Sequence, residues 1–241
     1  MKIRQMRGVR SSRRAVLGLW LSGGLAMAML AVTPGAALAN PSSLLAQAKK
    51  ALLVTSDLPS GWTSTKSSDG NSSFPGAAQL ATCLGISSSI ISDNPPTVNS
   101  PEFDSKSQLE SVNDSVSVYS TAKGAQADHA SLTNPKTPSC LTQSFNGSAR
   151  SALESELGSG ETLGTILVSR SPASEFAPGS ANFTAFIPIT AHGVTLNLEL
   201  VVVDYVKGRE EQTVVFTSLQ NPFPASLARH LTTVALQRLS S

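Results

Sequence analysis

Histidine and cysteine side chains are the usual sources of metal-binding and nucleophilic chemistry, and this chain has few of them. It contains three histidines, His129, His192 and His230, and two cysteines. None of the histidines has a neighbour at i+2 or i+4 that completes a metal pattern, and tetrahedral zinc needs three or four converging ligands. We therefore predict no metal site and expect all three histidines to be exposed. His192, in a predicted turn, is the one most suited to a function.

Nucleophile and acid–base patterns are also missing. Serine is abundant, but no serine lies in the G-x-S-x-G turn that exposes a hydrolase nucleophile. The adjacent carboxylates Glu210 and Glu211 lie on a predicted strand, where neighbouring side chains point to opposite faces. No phosphate-binding loop or dinucleotide fingerprint occurs. The sequence therefore predicts no catalytic residue and no cofactor, and a hydrolase with an unrecognised site is the less favoured alternative.

The first 39 residues have the order of a secretory signal peptide. Six basic side chains and no acidic one flank or precede a long apolar run, which ends at the small-residue site Ala37-Leu38-Ala39. We expect cleavage between Ala39 and Asn40, which leaves one secreted, extracytoplasmic domain over residues 40–241 with no stable membrane anchor. The pair Arg13-Arg14 is typical of twin-arginine export, but ordinary secretory leaders also contain such pairs, and both routes stay open.

The charge balance changes when the predicted leader is set aside. All 16 Asp and Glu residues but only 12 of the 18 Lys and Arg residues follow Ala39, which gives a net charge of −4. A mildly acidic chain without a basic cluster lacks the electrostatic footprint of nucleic-acid binding. It also lacks the polybasic patch that holds proteins on anionic membranes. We therefore expect neither partner.

The two cysteines, Cys83 and Cys140, suit an exported chain. An even pair usually bonds in an oxidising compartment. We predict a Cys83–Cys140 disulfide, with two buried free thiols as the alternative. Closing a loop of nearly 60 residues would stabilise the fold by about 4 kcal/mol in the chain-entropy model.

Hydrophobic periodicity predicts an α+β fold, in which helices pack on an antiparallel sheet. Short connections at His192-Gly193 and Lys207-Gly208 predict that the last three strands form an antiparallel meander. The predicted helices are Ser42–Leu53, Gly76–Leu84, Ala122–Leu132, Thr137–Phe145, Ser148–Leu157 and Pro224–Leu239. The predicted strands are Glu102–Leu109, Val112–Thr121, Leu163–Ser171, Asn182–Ala191, Val194–Val206 and Glu210–Leu219.

The longest predicted strand, Val194–Val206, has two unequal faces. One face is apolar throughout, whereas the other begins with Thr195, Asn197 and Glu199 and ends with Val201, Val203 and Tyr205. The second face is therefore expected to be covered at one end only. We place a ligand against it, with Val203 and Tyr205 as candidate contacts.

Pro188 lies within the preceding predicted strand. Because proline donates no ladder hydrogen bond, it predicts an edge position or a bulge there.

The order of several short motifs resembles known secreted proteins. These motifs are LLVTSDLPSGWT, ATCLG, SPEF, VSVYST, SCLTQSF and GREEQTVVFTSLQNPFP. The order is similar to that in a group of secreted actinobacterial proteins, in the extracellular sensor domains of mycobacterial receptor-type serine/threonine kinases, and in small mycobacterial lipoproteins with a PsbP-like α/β sandwich. The resemblance spans most of Ser42–Leu239. It implies a non-enzymatic fold with a ligand groove between sheet and helices. This sequence has one cysteine pair where the kinase sensors have two, and we expect neither a transmembrane helix nor a kinase domain in it.

The motif Asp57-Leu58-Pro59-Ser60-Gly61 predicts a turn that ends the first helix, because Pro59 and Gly61 both favour turns. Trp62, which follows, is interpreted as a core or lid residue, with a ligand contact as the alternative.

Two hypotheses follow for the whole chain. It is either a secreted ligand-binding or sensor-like module with an apolar or cell-wall-derived ligand, or an envelope protein that binds another protein and has no small-molecule site.

Overall fold

The structure is a computed structural model that describes residues 41–66, 75–86, 95–172 and 175–239. The predicted signal peptide and its cleavage site at Ala39 and Asn40 lie outside these described residues. No helix within them is long and apolar enough to cross a membrane.

The described residues form six α-helices and nine β-strands. The helices are α1 (Pro41–Ala51), α2 (Ala77–Leu84), α3 (Ala122–Thr133), α4 (Thr137–Asn146), α5 (Arg150–Ser155) and α6 (Ala225–Arg238). The strands are β1 (Thr63–Thr65), β2 (Thr97–Asn99), β3 (Glu102–Asp104), β4 (Glu110–Val118), β5 (Glu161–Leu163), β6 (Leu167–Arg170), β7 (Ala181–Ala191), β8 (Val194–Lys207) and β9 (Glu210–Leu219).

All nine strands belong to one sheet, in the order β1-β3-β4-β9-β8-β7-β5, with β2 beside β4 and β6 beside β7. Every pair of strands is antiparallel. The predicted α+β class is therefore confirmed, and the three long strands β7, β8 and β9 form the predicted meander. The β7–β8 turn contains His192 and Gly193, both at positive φ (51° and 77°), as a two-residue hairpin loop requires.

One predicted strand is divided in two. The stretch predicted as Leu163–Ser171 forms β5 and β6, which pair with β7 on either side of Pro188. Proline has no amide hydrogen, so it cannot complete a ladder on that side. Instead, the amide of Gly164 in the gap donates to the Pro188 carbonyl at 2.8 Å.

Each face of the sheet is covered by its own helices and has its own core. Helices α2, α3, α4 and α5 cover the first face, where Leu198 and Leu200 of β8 are buried. Helices α1 and α6 cover the second face, where Val203 and Tyr205 are buried. Because successive strand residues point to opposite faces, β8 contributes to both cores.

The predicted disulfide joins Cys83 and Cys140, and it is confirmed. Cys83 lies in the last turn of α2, which ends at Gly85 in the left-handed conformation (φ 70°). Cys140 lies in α4 and is fully buried. The bond has a Cα–Cα distance of 5.6 Å and joins two helices that lie on the first face of the sheet.

The turn after α1 is held by Asp57. Its carboxylate accepts a hydrogen bond from the Val54 amide at 2.8 Å. It also accepts two from the guanidinium of Arg238, at 2.6 and 2.7 Å, so the turn is tied to the end of α6. Gly61 completes the turn at φ 94°, a conformation that favours glycine. The predicted turn is thus confirmed, and its acidic first residue is its anchor.

Candidate functional site

A groove of about 340 Å³ lies on the second face of the sheet, beside the first turn of α6. It forms where the helical cover of β8 ends, between Glu199 and Val201. The sequence predicted this change of cover, because the same strand face is polar before Val201 and apolar from it onward.

Apolar side chains make the floor and one wall of the groove. Val201 of β8 and Phe216 of β9 are directly paired in the sheet and lie at the floor. Phe223, which precedes α6, packs on Phe216 with ring centroids 4.8 Å apart. Phe176, from the segment before β7, completes the apolar lining. These four side chains are also part of the second core, so the groove opens directly onto packed structure.

Polar groups line the opposite side of the groove. Ser171 and Thr184 line it, and their hydroxyl oxygens share a hydrogen bond of 2.7 Å. Two carboxyl groups, those of Glu175 and Glu199, line it as well. Glu199 accepts hydrogen bonds from the Ser218 hydroxyl at 3.0 Å and from the Phe223 amide at 3.1 Å. The groove therefore combines an apolar floor with hydroxyl and carboxyl groups.

Arg170 also lines the groove, but its charge is directed to the first face of the sheet. Its guanidinium donates to the carbonyls of Leu132 and Asn134, both at 2.9 Å. It also lies 5.0 Å from the centroid of the Phe183 ring, which belongs to the first core. The guanidinium is thus already occupied outside the groove.

Two large apolar side chains are exposed at the open end of the groove. Phe186 of β7, which lines the groove, is 44% exposed, and its direct partner Leu167 of β6 is 59% exposed. Directly opposite residues of an antiparallel pair lie on one face of the sheet. These two side chains therefore form one apolar patch on the groove face, which we call the rim pair.

None of the three predicted ligand contacts, Val203, Tyr205 and Trp62, is among the residues that line the groove. Val203 and Tyr205 are 0% and 2% exposed and lie in the second core, because α6 and α1 cover that part of the face. Val201, two residues before Val203, lines the groove instead. Trp62 is partly buried against Phe223, with ring centroids 6.3 Å apart, so it lies one aromatic ring behind the wall of the groove.

A second region, on the first face, concentrates ionisable side chains. We call it the acid cluster: it consists of Tyr119, Asp128, His129, Asp204 and Glu211. The three acids and the tyrosine are 0–4% exposed. Helix α3 places Asp128 and His129 over the ends of β8 and β9, where Asp204 and Glu211 share one face.

Hydrogen bonds join the cluster. Nδ1 of His129 lies 2.8 Å from Oδ1 of Asp204, whose other oxygen accepts from the Thr213 hydroxyl at 3.0 Å. The hydroxyl of Tyr119 is hydrogen-bonded to both Asp128 and Glu211.

The environment of the acid cluster shifts the pKa values of its side chains. The hydrogen bond to Asp204 raises the pKa of His129, although burial acts in the opposite direction. Burial raises the pKa of Glu211 well above its usual value, and the carboxylates of Asp204 and Asp128 raise it further. Burial and the two neighbouring acids likewise raise the pKa of Tyr119. These shifts follow from placing several acids with one imidazole away from water.

Sequence reasoning missed this cluster. It predicted an exposed His129, but only 15% of that side chain is accessible. It did predict that Glu210 and Glu211 point to opposite faces, and Glu211 meets the histidine from a strand more than 80 residues away in the chain. No spacing rule connects such residues; the only sequence signals were the charged side chains of Asp204 and Glu211 on two predicted strands.

A further buried acid, Asp114 of β4, lies on the second face. Its carboxylate accepts hydrogen bonds from the Leu53 amide, at 3.2 and 3.3 Å, and from the Gln212 side chain at 2.7 Å. Burial raises its pKa to about 6, even though these hydrogen bonds lower it. Asp114 therefore ties α1 to the sheet rather than lining the groove.

No protein-family model matches this chain, and no curated protein matches it. Among solved structures, the chain is similar to the extracellular domain of PknH from Mycobacterium tuberculosis, with 10% sequence identity and a TM-score of 0.31. The match covers 66% of this chain and 91% of that one. A likeness at this TM-score establishes neither a shared fold nor a shared role.

Proposed function

We propose that this protein is a non-enzymatic, sensor-like module of the cell envelope that binds a neutral, apolar or cell-wall-derived amphiphile in the groove. The observation that carries the proposal is the rim pair. Leu167 and Phe186 stay exposed side by side next to an apolar floor, and exposed apolar patches of this kind often mark binding sites.

The shape and lining of the groove support a small ligand or one segment of a larger one. Ligand pockets usually measure roughly 300–1,000 Å³ and combine an apolar lining with a few polar groups that fix orientation. At about 340 Å³, the groove is at the small end of this range. An apolar segment fits over Val201 and Phe216, and hydroxyl groups fit beside Ser171 and Thr184.

Charge favours a neutral ligand over an anionic one. Glu175 and Glu199 both line the groove, while the guanidinium of Arg170 is held on the other face of the sheet. A carboxylate or phosphate head group would meet like charge without a nearby free cation in the described lining. A hydroxylated head group, such as that of a glycolipid, would instead find hydrogen-bond partners.

The non-enzymatic part of the proposal is supported by the same lining. The two hydroxyls that face each other, Ser171 and Thr184, hydrogen-bond to one another. None of the described residues that line the groove is a histidine, lysine or cysteine. A nucleophile needs a base within reach, and the hydrogen bonds of the Glu199 carboxylate come from the Ser218 hydroxyl and the Phe223 amide, not from Ser171 or Thr184.

An extracytoplasmic location is supported by two features. The disulfide between Cys83 and Cys140 is of the kind that persists in oxidising compartments. The first 39 residues have the composition of a secretory signal peptide.

Ligand binding is testable through Trp62, which lies one ring from the groove. In a Trp20→Phe background, Trp62 is the only tryptophan of the chain. The protein is titrated with a neutral alkyl glycoside and, separately, with a fatty-acid anion of the same chain length, both below micelle formation. We expect the glycoside to change Trp62 fluorescence saturably and the anion to bind at least tenfold more weakly. Calorimetry gives the stoichiometry.

Matched variants test whether the rim pair is the site. Leu167→Ser with Phe186→Ser removes exposed apolar surface, so it should weaken glycoside binding about tenfold with little change in stability. Val194→Ser is the control, because Val194 is 47% exposed but lies on the first face. Equal weakening by both variants, or no saturable response to any ligand, would contradict the proposal. A stoichiometric envelope protein recovered through the rim pair, without small-molecule binding, would favour the protein-interaction alternative.

A further inference from the structure

The acid cluster contains three metal-ligating side chains that converge from three separate elements. His129 comes from α3, Asp204 from β8 and Glu211 from β9. One ligand atom from each residue lies within 4.8 Å of the other two. Nδ1 of His129 and Oδ1 of Asp204 are 2.8 Å apart, which is a direct hydrogen bond. Tetrahedral geometry with bonds of about 2.0–2.1 Å places neighbouring donors roughly 3.3 Å apart, so an ion would replace this hydrogen bond and move the two atoms about half an ångström further apart.

Each of the three side chains is also oriented by a second partner. The His129 ring is hydrogen-bonded to the backbone of Gly179. Asp204 accepts from the Thr213 hydroxyl through Oδ2, and Glu211 is bonded to Tyr119 through Oε2. Metal-ligating histidines and carboxylates usually have such outer partners, which fix the direction of the ligand atoms. These partners leave Nδ1, Oδ1 and Oε1 for each other or for an ion.

One of these atoms makes no hydrogen bond of ordinary geometry, although the Asp128 carboxyl lies beside the Glu211 side chain and interacts with it. Oε1 of Glu211 is buried and has no hydrogen-bond partner among the described residues, and Glu211 as a whole is 4% exposed. A buried carboxylate oxygen without a partner is costly. A divalent cation would bond to it, release the proton that the raised pKa of Glu211 favours, and balance the charges of Asp204 and the ionised Glu211 together.

We infer that His129, Asp204 and Glu211 form a binding site for a divalent first-row transition metal. One imidazole and two carboxylates suit Zn²⁺ or Mn²⁺, whereas Ca²⁺ prefers six to eight oxygen ligands. The 15% accessibility of His129 provides an entry path. Both cysteines are in the disulfide, so no thiolate competes for the ion. This site lies on the opposite face of the sheet from the groove and does not depend on the proposed ligand.

The experiment uses the purified protein after treatment with a chelator. Zn²⁺, Mn²⁺ and Ca²⁺ are titrated in parallel by calorimetry, and thermal unfolding is recorded with each ion. We expect one Zn²⁺ per chain, much weaker Ca²⁺ binding, and a rise in Tm of about 5–10 °C at a hundredfold excess over Kd. The visible spectrum of bound Co²⁺ should show nitrogen and oxygen ligation without thiolate.

Histidine variants distinguish this site from surface binding. His129→Gln should weaken Zn²⁺ binding at least tenfold, and Glu211→Gln should do the same. His192→Asn is the matched control, because His192 is exposed in the β7–β8 turn and should bind no ion; asparagine tolerates its positive φ. The inference is overturned if the unsubstituted protein neither retains Zn²⁺ nor gains thermal stability. It is also overturned if His192→Asn, and not His129→Gln, abolishes binding. Zn²⁺ binding and the rise in Tm are measured on the unsubstituted protein, so they test the inference even if a variant fails to fold.

Discussion

The groove and the acid cluster draw on the same strand, β8, and differ in almost every other respect. Glu199 and Val201 point to the second face, where the helical cover ends and the sheet opens to solvent. Asp204 points to the first face, under α3, and is 1% exposed. The groove is open and combines an apolar floor with hydroxyl and carboxyl groups, whereas the cluster is polar and reaches solvent only at His129.

The contrast shows how strand periodicity separates two kinds of site within six residues of chain. Because side chains alternate, an odd-numbered position of β8 reaches the groove face and an even-numbered one reaches the cluster face. Hydrophobic burial stabilises the groove floor, so a ligand there competes only with water. Buried carboxylates in the cluster instead require a partner of opposite charge or a proton.

The largest predicted effect tests whether the groove floor is structural. Phe216 is 1% exposed and serves both the second core and the groove. Phe216→Ala should lower the free energy of unfolding by about 3–5 kcal/mol and also weaken ligand binding. Phe145→Ala, in the first core at 2% exposure, should cost as much stability and leave binding unchanged. Chemical denaturation and Trp62 fluorescence measure both quantities. Equal loss of ligand binding in the two variants would show that the groove is not independent of the first core.

The disulfide should affect stability without affecting either site. It joins residues 57 apart on α2 and α4, on the first face. Replacing both cysteines by serine should lower the free energy of unfolding by about 2–4 kcal/mol, chiefly through the unfolded chain. Urea unfolding of the double-serine variant and of the disulfide-bonded protein measures this. A loss of groove affinity in the folded variant would show that the two faces are coupled.

Asp114 predicts a pH dependence for the second face. Its folded-state pKa of about 6 lies above the value of 3.8 for an unperturbed aspartate. Between these values the folded chain holds more protons than the unfolded one, so the free energy of unfolding should fall as pH rises from 4 to 6. The fall attributable to Asp114 is up to about 3 kcal/mol.

Comparison with Asp114→Asn isolates this contribution from the other carboxylates. The variant cannot ionise, so its stability should depend less on pH over the same range. Denaturant midpoints at pH 4, 5 and 6 measure the difference. Parallel pH profiles for the two proteins would show that folding does not shift the pKa of Asp114, and a stability of the unsubstituted protein that rises with pH relative to the variant would show that the hydrogen bonds outweigh the burial.

The smallest predicted effect concerns the pair that ties the turn after α1 to α6. Burial raises the pKa of Asp57, but hydrogen bonds from Arg238 lower it more, and the net shift is downward. Its stabilisation is therefore present above the usual aspartate pKa and is lost as pH falls through the lowered value. Asp57→Asn should cost about 0.5–1 kcal/mol at low salt.

The matched control is Glu154→Gln, which removes the exposed i,i+4 pair with Arg150. Such a pair contributes about 0.3–0.5 kcal/mol. Thermal unfolding at low and high salt separates the two variants. A larger loss for Glu154→Gln would contradict the ranking of the two pairs.

Local rules predicted most of the elements in this chain. The β7–β8–β9 meander, the disulfide and the helix bounds agreed with the structure to within a few residues, because alternation, turn residues and cysteine count act over short distances. The division of β5 from β6 was not predicted, although Pro188 marked the position. The signal, Pro188, lies in β7, whereas the interruption occurs in the neighbouring segment, between β5 and β6.

The candidate sites were predicted less well. The half-covered face of β8 was anticipated, yet the proposed contacts Val203 and Tyr205 are buried. The boundary between the covered and the open part of this face depends on how far α6 extends along the sheet, which tertiary packing decides. His129 was expected to be exposed, since a histidine on a weakly amphipathic helix gives no sign of what the helix lies upon.

Composition and pattern alone determined the class of fold and the covalent link, because these depend on residue type and near-neighbour spacing. The tertiary structure alone decided that Leu167 meets Phe186 at an open groove, and that His129 meets Asp204 and Glu211 away from water. Such meetings join residues from distant parts of the chain. The positions of these side chains depend on how the two helical layers pack on the sheet, and no local sequence pattern encodes that packing.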